Sequence, residues 1–305
     1  MSLLAAAALF LAVGQDDPMR TSVLPSETDK AINTFDDPHS VYYDAEPKKR
    51  GELLVFIPGT NGKTLGTKLF CRLAVSLGYH VISLMYPDDK SATAVKSSSD
   101  KDGFTKFRKE IIYGGDLSPA ISVDRANSIE NRLIKLLQYL DKGKADQKWG
   151  QFLKQDGGLN YEKIAFSGQS QGGGHAALIA MDHKVARVLM FSSPKDYDNE
   201  PASWYGKGAT PSSRFFAFVH EQDKQGCTYP QQLEILKKLN MTGVADVDKT
   251  KPPFSKVQIF TTNYPGTPVT SLVAHTCIVG DGGTPKDDNR KPIFEPVWRY
   301  MLTAD

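Results

Sequence analysis

The residues with the clearest chemical potential are Gly168-Gln169-Ser170-Gln171-Gly172, a Gly-x-Ser-x-Gly pentapeptide. Alone, a pattern this short arises readily by chance; its flanks give it meaning. Residues 164–167 read as a strand, and Gly173-Gly174-His175-Ala176-Ala177-Leu178-Ile179-Ala180 reads as a helix that starts at once. So abrupt a strand-to-helix turn strains its central residue, and small residues two positions to either side let the backbone close around it. Ser170 Oγ would then stand above the carboxyl edge of a sheet, at a helix N-terminus, where developing negative charge is favoured. That is the place of a nucleophile. The competing reading is a glycine-rich turn holding an ordinary serine.

Such a serine needs a sheet beneath it. Apolar runs of strand type lie at 53–57, 80–85, 164–166, 187–191, 214–219 and 256–262. Helical periodicity fills 65–77, where Leu65, Leu69, Leu73 and Leu77 recur before Gly78, and also 124–140, 173–181, 230–239 and 295–302. This alternation predicts an α/β chain: one mostly parallel sheet with helices on both faces. Residues 15–40 are polar and read as a surface arm, and 88–118 as a long polar insertion. From about Leu53 to the C-terminus the chain resembles the α/β-hydrolase superfamily. The resemblance implies a single domain over 41–305 with a small lid, since only about twenty residues separate two late strands where many relatives insert a large one.

In that superfamily the chain order is nucleophile, acid, histidine, the last two on loops after late strands. The strand at 214–219 runs into His220-Glu221-Gln222-Asp223, and the one at 256–262 is followed by Ser271 to Cys277, which includes His275. The resemblance therefore implies Asp223 as acid and His275 as base. His275 would take the Ser170 proton while Asp223 orients the ring and stabilises the imidazolium. Glu221 is the second candidate acid, with Asp196 or Asp198 third. Of six histidines, His220 is the rival base because it ends a strand near the site. His39 lies in the arm, His80 in an early strand, and His175 and His183 on the nucleophile helix. Oxyanion donors would be the backbone N–H of Gln171 and one from Pro58-Gly59-Thr60-Asn61-Gly62, Thr60 first and Asn61 as alternative. The His-Gly pair common at that loop is replaced here by Pro58-Gly59.

Tyr86, Tyr197, Trp204 and Tyr205 could wall a substrate pocket, or simply pack. The acid and base loops must be neighbours, so Cys227 and Cys277 either form a disulfide clamping them or stay as buried thiols. Cys71, inside a helix, reads as a small buried hydrophobe. Carboxylic ester hydrolysis is the default reaction, on a small-molecule or a polymeric ester, without cofactor or metal. A hydrolase-fold protein that binds without catalysis is the alternative.

Other classes fit poorly. Lys and Arg number 37 against 35 Asp and Glu, a net charge of +2, so nothing suggests nucleic acid or an acidic membrane as partner. Gly62-Lys63-Thr64 imitates a phosphate loop, but the required leading glycine is Ile57, inside an apolar strand. No metal-ligand spacing occurs, and Asp281-Gly282-Gly283 with Asp287-Asp288 reads as a solvated loop. Residues 3–13 form an apolar run shorter than the ~20 residues of a spanning helix. With Ala12-Val13-Gly14 as a cleavage site, residues 1–14 fit a signal peptide, though no basic residue precedes the run. That reading makes the protein secreted or periplasmic; if the run belongs to the fold, it is cytoplasmic. No stable membrane insertion is expected, and no feature specifies an oligomeric state.

Overall fold

The structure is a computed structural model that describes residues 19–304, so residues 1–14, which fit a signal peptide in sequence, lie outside the described residues. The strands in chain order are β1 (Arg20–Val23), β2 (His39–Tyr42), β3 (Leu53–Ile57), β4 (His80–Ser83), β5 (Ile164–Gln169) and β6 (Arg187–Phe191). Then come β7 (Tyr197–Asp198) and β8 (Glu200–Pro201), which pair with each other, and β9 (Phe215–His220), β10 (Val244–Asp246) and β11 (Ile259–Thr262). Nine of these make one sheet in the order β1-β2-β4-β3-β5-β6-β9-β11-β10. From β4 to β10 every pairing is parallel; β1 and β2 are antiparallel additions at one edge. The helices are α1 (Pro25–Thr28), α2 (Lys68–Ser76), α3 (Gly103–Tyr113), α4 (Ile129–Gly143), α5 (Gln171–Asp182), α6 (Tyr229–Lys238), α7 (Ser271–Thr276) and α8 (Glu295–Thr303).

Alternation along the central strands divides the core in two. Leu53, Val55 and Ile57 of β3 join one apolar cluster, with Leu133, Leu136 and Leu137 of α4 and Ala176 and Ala177 of α5. Leu54 and Phe56 join the other, with Phe70 of α2 and Trp298 and Met301 of α8. Period-two side chains covered on both faces explain why these strands read as unbroken apolar runs. Trp298 also donates its indole N–H to the Ile278 carbonyl at 2.8 Å, which satisfies the one polar atom of a fully buried ring.

Two expected loops are structured. The segment expected as a surface arm instead contributes β1, α1 and β2. Buried Arg132 holds it, donating to the carbonyls of Thr34 at 2.5 Å and Phe35 at 3.0 Å. Lys63 pairs with Asp37, and Thr64 donates to the Pro38 carbonyl, so the residues that imitate a phosphate loop anchor this segment. The polar insertion contains α3, whose Phe104, Phe107 and Ile111 lie at helical spacing and are buried. Asp281 caps α2, accepting from the N–H groups of Lys68 and Leu69 at 3.0 and 3.1 Å. Among the described residues no helix is long and apolar enough to cross a membrane.

Of the two readings for Cys227 and Cys277, the structure has free, buried thiols rather than a disulfide, and Cys71 is likewise a free, buried thiol. The reason is topological. Cys227 packs into the cluster on one face of the sheet and Cys277 into the cluster on the other. Alkylation in denaturant without reductant should therefore add three adducts by mass; one adduct would restore the disulfide.

Candidate active site

Ser170 follows β5 directly and forms the N-cap of α5 with φ 56° and ψ −121°, a region that costs a non-glycine residue backbone strain. The strand N-terminal to it and the helix after it converge so closely that the flanking glycines have no room for a side chain. A Cβ on Gly168 would lie 2.3 Å from the carbonyl carbon of Gly172, and one on Gly172 would lie 1.9 Å from the Ile57 carbonyl oxygen. The Ser170 N–H donates to the Phe191 carbonyl at 2.8 Å, tying the turn to β6.

Two loops from farther along the sheet meet this turn. Asp223 lies just beyond β9, and His275 lies in α7, after β11. His275 Nδ1 is 2.8 Å from Asp223 Oδ2, and the carboxylate is 0% exposed. Oδ1 accepts the Gln225 N–H at 2.9 Å. With Nδ1 on the carboxylate, Nε2 is the imidazole nitrogen left for a reacting group. The backbone of His275 is fixed as well, its carbonyl accepting from Ser192 Oγ at 2.8 Å and Gln169 Nε2 at 3.1 Å. Burial pushes the Asp223 carboxyl up, but the His275 hydrogen bond and the Lys195 charge outweigh it, leaving the group below the ordinary carboxylate range.

The competing candidates are engaged elsewhere. Glu221 is exposed. Asp196 forms a buried two-pronged pair with Arg108, both contacts at 2.5 Å, and Asp198 accepts the Ser97 N–H at 2.8 Å. His220 accepts from the Gln222 N–H through Nδ1 at 3.0 Å, while Nε2 lies 2.8 Å from the Tyr264 carbonyl, so both nitrogens are occupied. His39 Nδ1 accepts the Met85 N–H, His80 Nε2 contacts the Gln147 carbonyl, and His183 stacks on Tyr161 at 3.9 Å. His175 is fully buried against Tyr86, and that burial with the nearby Arg108 charge holds it well below the usual imidazole range.

Ser170 and His275 line one open cavity of about 500 Å³. Thr60 lines it too, whereas the Asn61 N–H is committed to the Asp88 carbonyl at 3.0 Å. Of the aromatic residues considered as pocket walls, Tyr197 lines this cavity. Tyr86, fully buried, donates to the Pro58 carbonyl at 2.9 Å; its role is packing. Trp204 and Tyr205 brace Asp196: the indole N–H donates to Oδ2 at 2.9 Å, and the Tyr205 hydroxyl accepts the Asp196 N–H at 3.1 Å. The insertion adds Ser91, Thr93, Lys96 and Phe104 to the remaining wall. Gln171 fastens this cover, its amide bonding both the Ala92 N–H and the Lys90 carbonyl at 2.8 Å.

Sequence reasoning missed Arg108 and Lys195. Arg108 lies under the first turn of α5, donating to the Gln171 carbonyl at 3.0 Å, and a Cβ on Gly174 would lie 2.4 Å from its guanidinium. Lys195, in the loop after β6, places Nζ 2.8 Å from Asp223 Oδ2. No short motif marks either; the one available signal for Lys195 is its position after the strand between the nucleophile and acid strands. Among the described residues no cluster of three or more His, Cys, Asp or Glu is arranged to hold a metal ion.

The sheet order, the turn at Ser170 after β5, and the loops that bring Asp223 and His275 to the same carboxyl edge define an α/β-hydrolase fold. Solved structures similar to this chain include an alpha-beta serine hydrolase homologue from Coxiella burnetii, 13% identical over 74% of this chain and 82% of that one, with a TM-score of 0.41. Another is the apo form of Thermogutta terrifontis esterase 2, 12% identical over 82% of this chain and 84% of that one, with a TM-score of 0.42. No protein-family model and no curated protein matches the chain.

Beneath the Thr60 loop, burial pushes the Asp88 carboxyl up to about 6, against the opposing charge of Lys63. A carboxyl whose value rises on folding holds its proton more tightly in the folded state, so stability falls as pH rises through that interval. Asp88→Asn removes this dependence. The variant should melt above wild type at about pH 8 and lose that advantage near pH 4. An equal displacement at both pH values would contradict the assignment.

Proposed function

We propose that this chain is a serine hydrolase of carboxylic esters, with Ser170 as nucleophile, His275 as base and Asp223 as the acid that orients it. The observation that carries the reading is the buried 2.8 Å contact of His275 Nδ1 with Asp223 Oδ2, in a cavity that also holds the strained Ser170. A serine hydroxyl is a poor nucleophile near neutral pH until a base takes its proton. On this reading Ser170 Oγ attacks the ester carbonyl carbon as its proton moves to His275 Nε2. The oxyanion is held by the N–H groups of Gln171 and Thr60, neither of which bonds another group among the described residues. Collapse expels the alkoxide, which takes the proton from His275. Water, deprotonated by the same nitrogen, then releases the acid and restores Ser170.

The cavity wall favours compact, polar acyl groups. Ser91, Thr93, Gln169, Gln225 and Thr276 interrupt the apolar surface of Phe104, Tyr197 and Leu272, so a long alkyl chain would leave polar groups without water or partner.

A fluorophosphonate probe should modify the wild-type protein at Ser170 and leave Ser170→Ala unmodified, read by mass spectrometry of the peptides. A folded wild type that resists the probe would indicate a binding protein. Among p-nitrophenyl esters, acetate and butyrate should show higher kcat/KM than decanoate and palmitate, and Ser170→Ala should lose turnover of all four. Palmitate as the best substrate would contradict the polar-acyl reading.

A further inference from the structure

We propose that Lys195 is a positioning residue of the same site: its ammonium shares one oxygen of Asp223 with His275 and so sets how readily the imidazole takes and releases a proton. The inference rests on the triad reading above. Lys195 Nζ and His275 Nδ1 each lie 2.8 Å from Asp223 Oδ2, while Oδ1 is held by the Gln225 N–H. The Lys195 side chain is 9% exposed and the Asp223 carboxylate 0%, so solvent screens the pair little. No other group among the described residues bonds or pairs with this ammonium.

The consequence is electrostatic. A lone buried carboxylate beside an imidazole strongly favours the protonated ring. An ammonium on the same oxygen offsets that charge, so His275 is held in orientation by the hydrogen bond with a weaker pull toward its charged form.

The other charges around the group do not supply this effect. Burial pushes the thiols of Cys227 and Cys277 up to about 11 and about 12, so both stay neutral in the working range. Asp196 is matched by Arg108. Asp248, beyond Cys277, accepts from Thr262 Oγ1 and the Asn263 N–H. His220 has both ring nitrogens engaged. Lys96 lines the cavity from an exposed position, bonded to the Gly226 carbonyl at 3.3 Å.

The test is an NMR titration of the His275 imidazole in wild type, Lys195→Met, Lys195→Gln and Lys195→Arg, which reads protonation whether or not the protein turns over an ester. The midpoint in the Met and Gln variants should rise by about one pH unit or more, while Arg stays near wild type. Gln keeps a donor without the charge, so it reports even where Met fails to fold. An unchanged midpoint in whichever of the two folds would overturn the proposal, because a merely structural lysine would not move it. A wild type that resists the fluorophosphonate while the midpoints still differ would instead sink the hydrolase reading and leave the charge coupling standing.

Discussion

The turn between β5 and α5 leaves no space for a Cβ on either glycine flanking Ser170. Gly172 lies against the Ile57 carbonyl, so the end of β3 sets how closely the helix can approach, and Gly168 lies against Gly172 itself. The close approach forces Ser170 to a positive φ and lifts it out of the strand at the carboxyl edge. Every other part of the site is placed relative to that point. The Ser170 N–H is tied to β6, the adjoining strand, whose following loop carries Lys195. The next strand, β9, leads to Asp223, and β11 beyond it leads to α7 and His275. A parallel sheet delivers these loops to one edge because all of its strands point the same way.

Around that point the structure buries two ion pairs, Arg108 with Asp196 and Lys195 with Asp223. Burying a charge is costly unless it is paired and its remaining valences are met. The Arg108–Asp196 pair satisfies this with Trp204, Tyr205 and the Gln171 carbonyl. It thereby fixes the first turn of α5, the element that presents Ser170. The Lys195–Asp223 pair instead leaves the ammonium with Asp223 as its one ion-pair partner among the described residues and with no hydrogen-bond partner, as expected where charge is placed for its effect on a neighbour. The polar insertion supplies Arg108 to the first pair, and its Ser91, Thr93, Lys96 and Phe104 line the cavity.

The sheet was legible because strands covered on both faces, such as 53–57 and 187–191, carry apolar runs that match their observed bounds. The edge strands were not. β1 and β2 are polar, short and antiparallel, and the chain between them is held at Thr34 and Phe35 by Arg132, a residue about a hundred positions away that no local pattern connects to them. α3 escaped notice because its apolar stripe is interleaved with Lys, Arg and Thr, and its Arg108 is buried by a partner 88 residues away. Within the site, Ser170 had its flanking strand and helix, and Asp223 and His275 had chain order. Disulfide and buried thiols stayed open alternatives for Cys227 and Cys277 because adjacency of two loops at a sheet edge says nothing about which face each thiol enters. Of the four aromatic residues for which wall and packing were both open, Tyr197 lines the cavity, whereas Tyr86, Trp204 and Tyr205 pack with their polar ends spent on the frame.

The central claim is that the His275–Asp223 pair makes Ser170 a nucleophile, and the second-order rate of Ser170 phosphonylation tests it most directly. Replacing His275 by Ala in a protein that keeps its fold should slow that rate by about 10²- to 10⁴-fold, the usual contribution of a positioned base. A His275→Ala variant that reacts as fast as wild type would contradict the account.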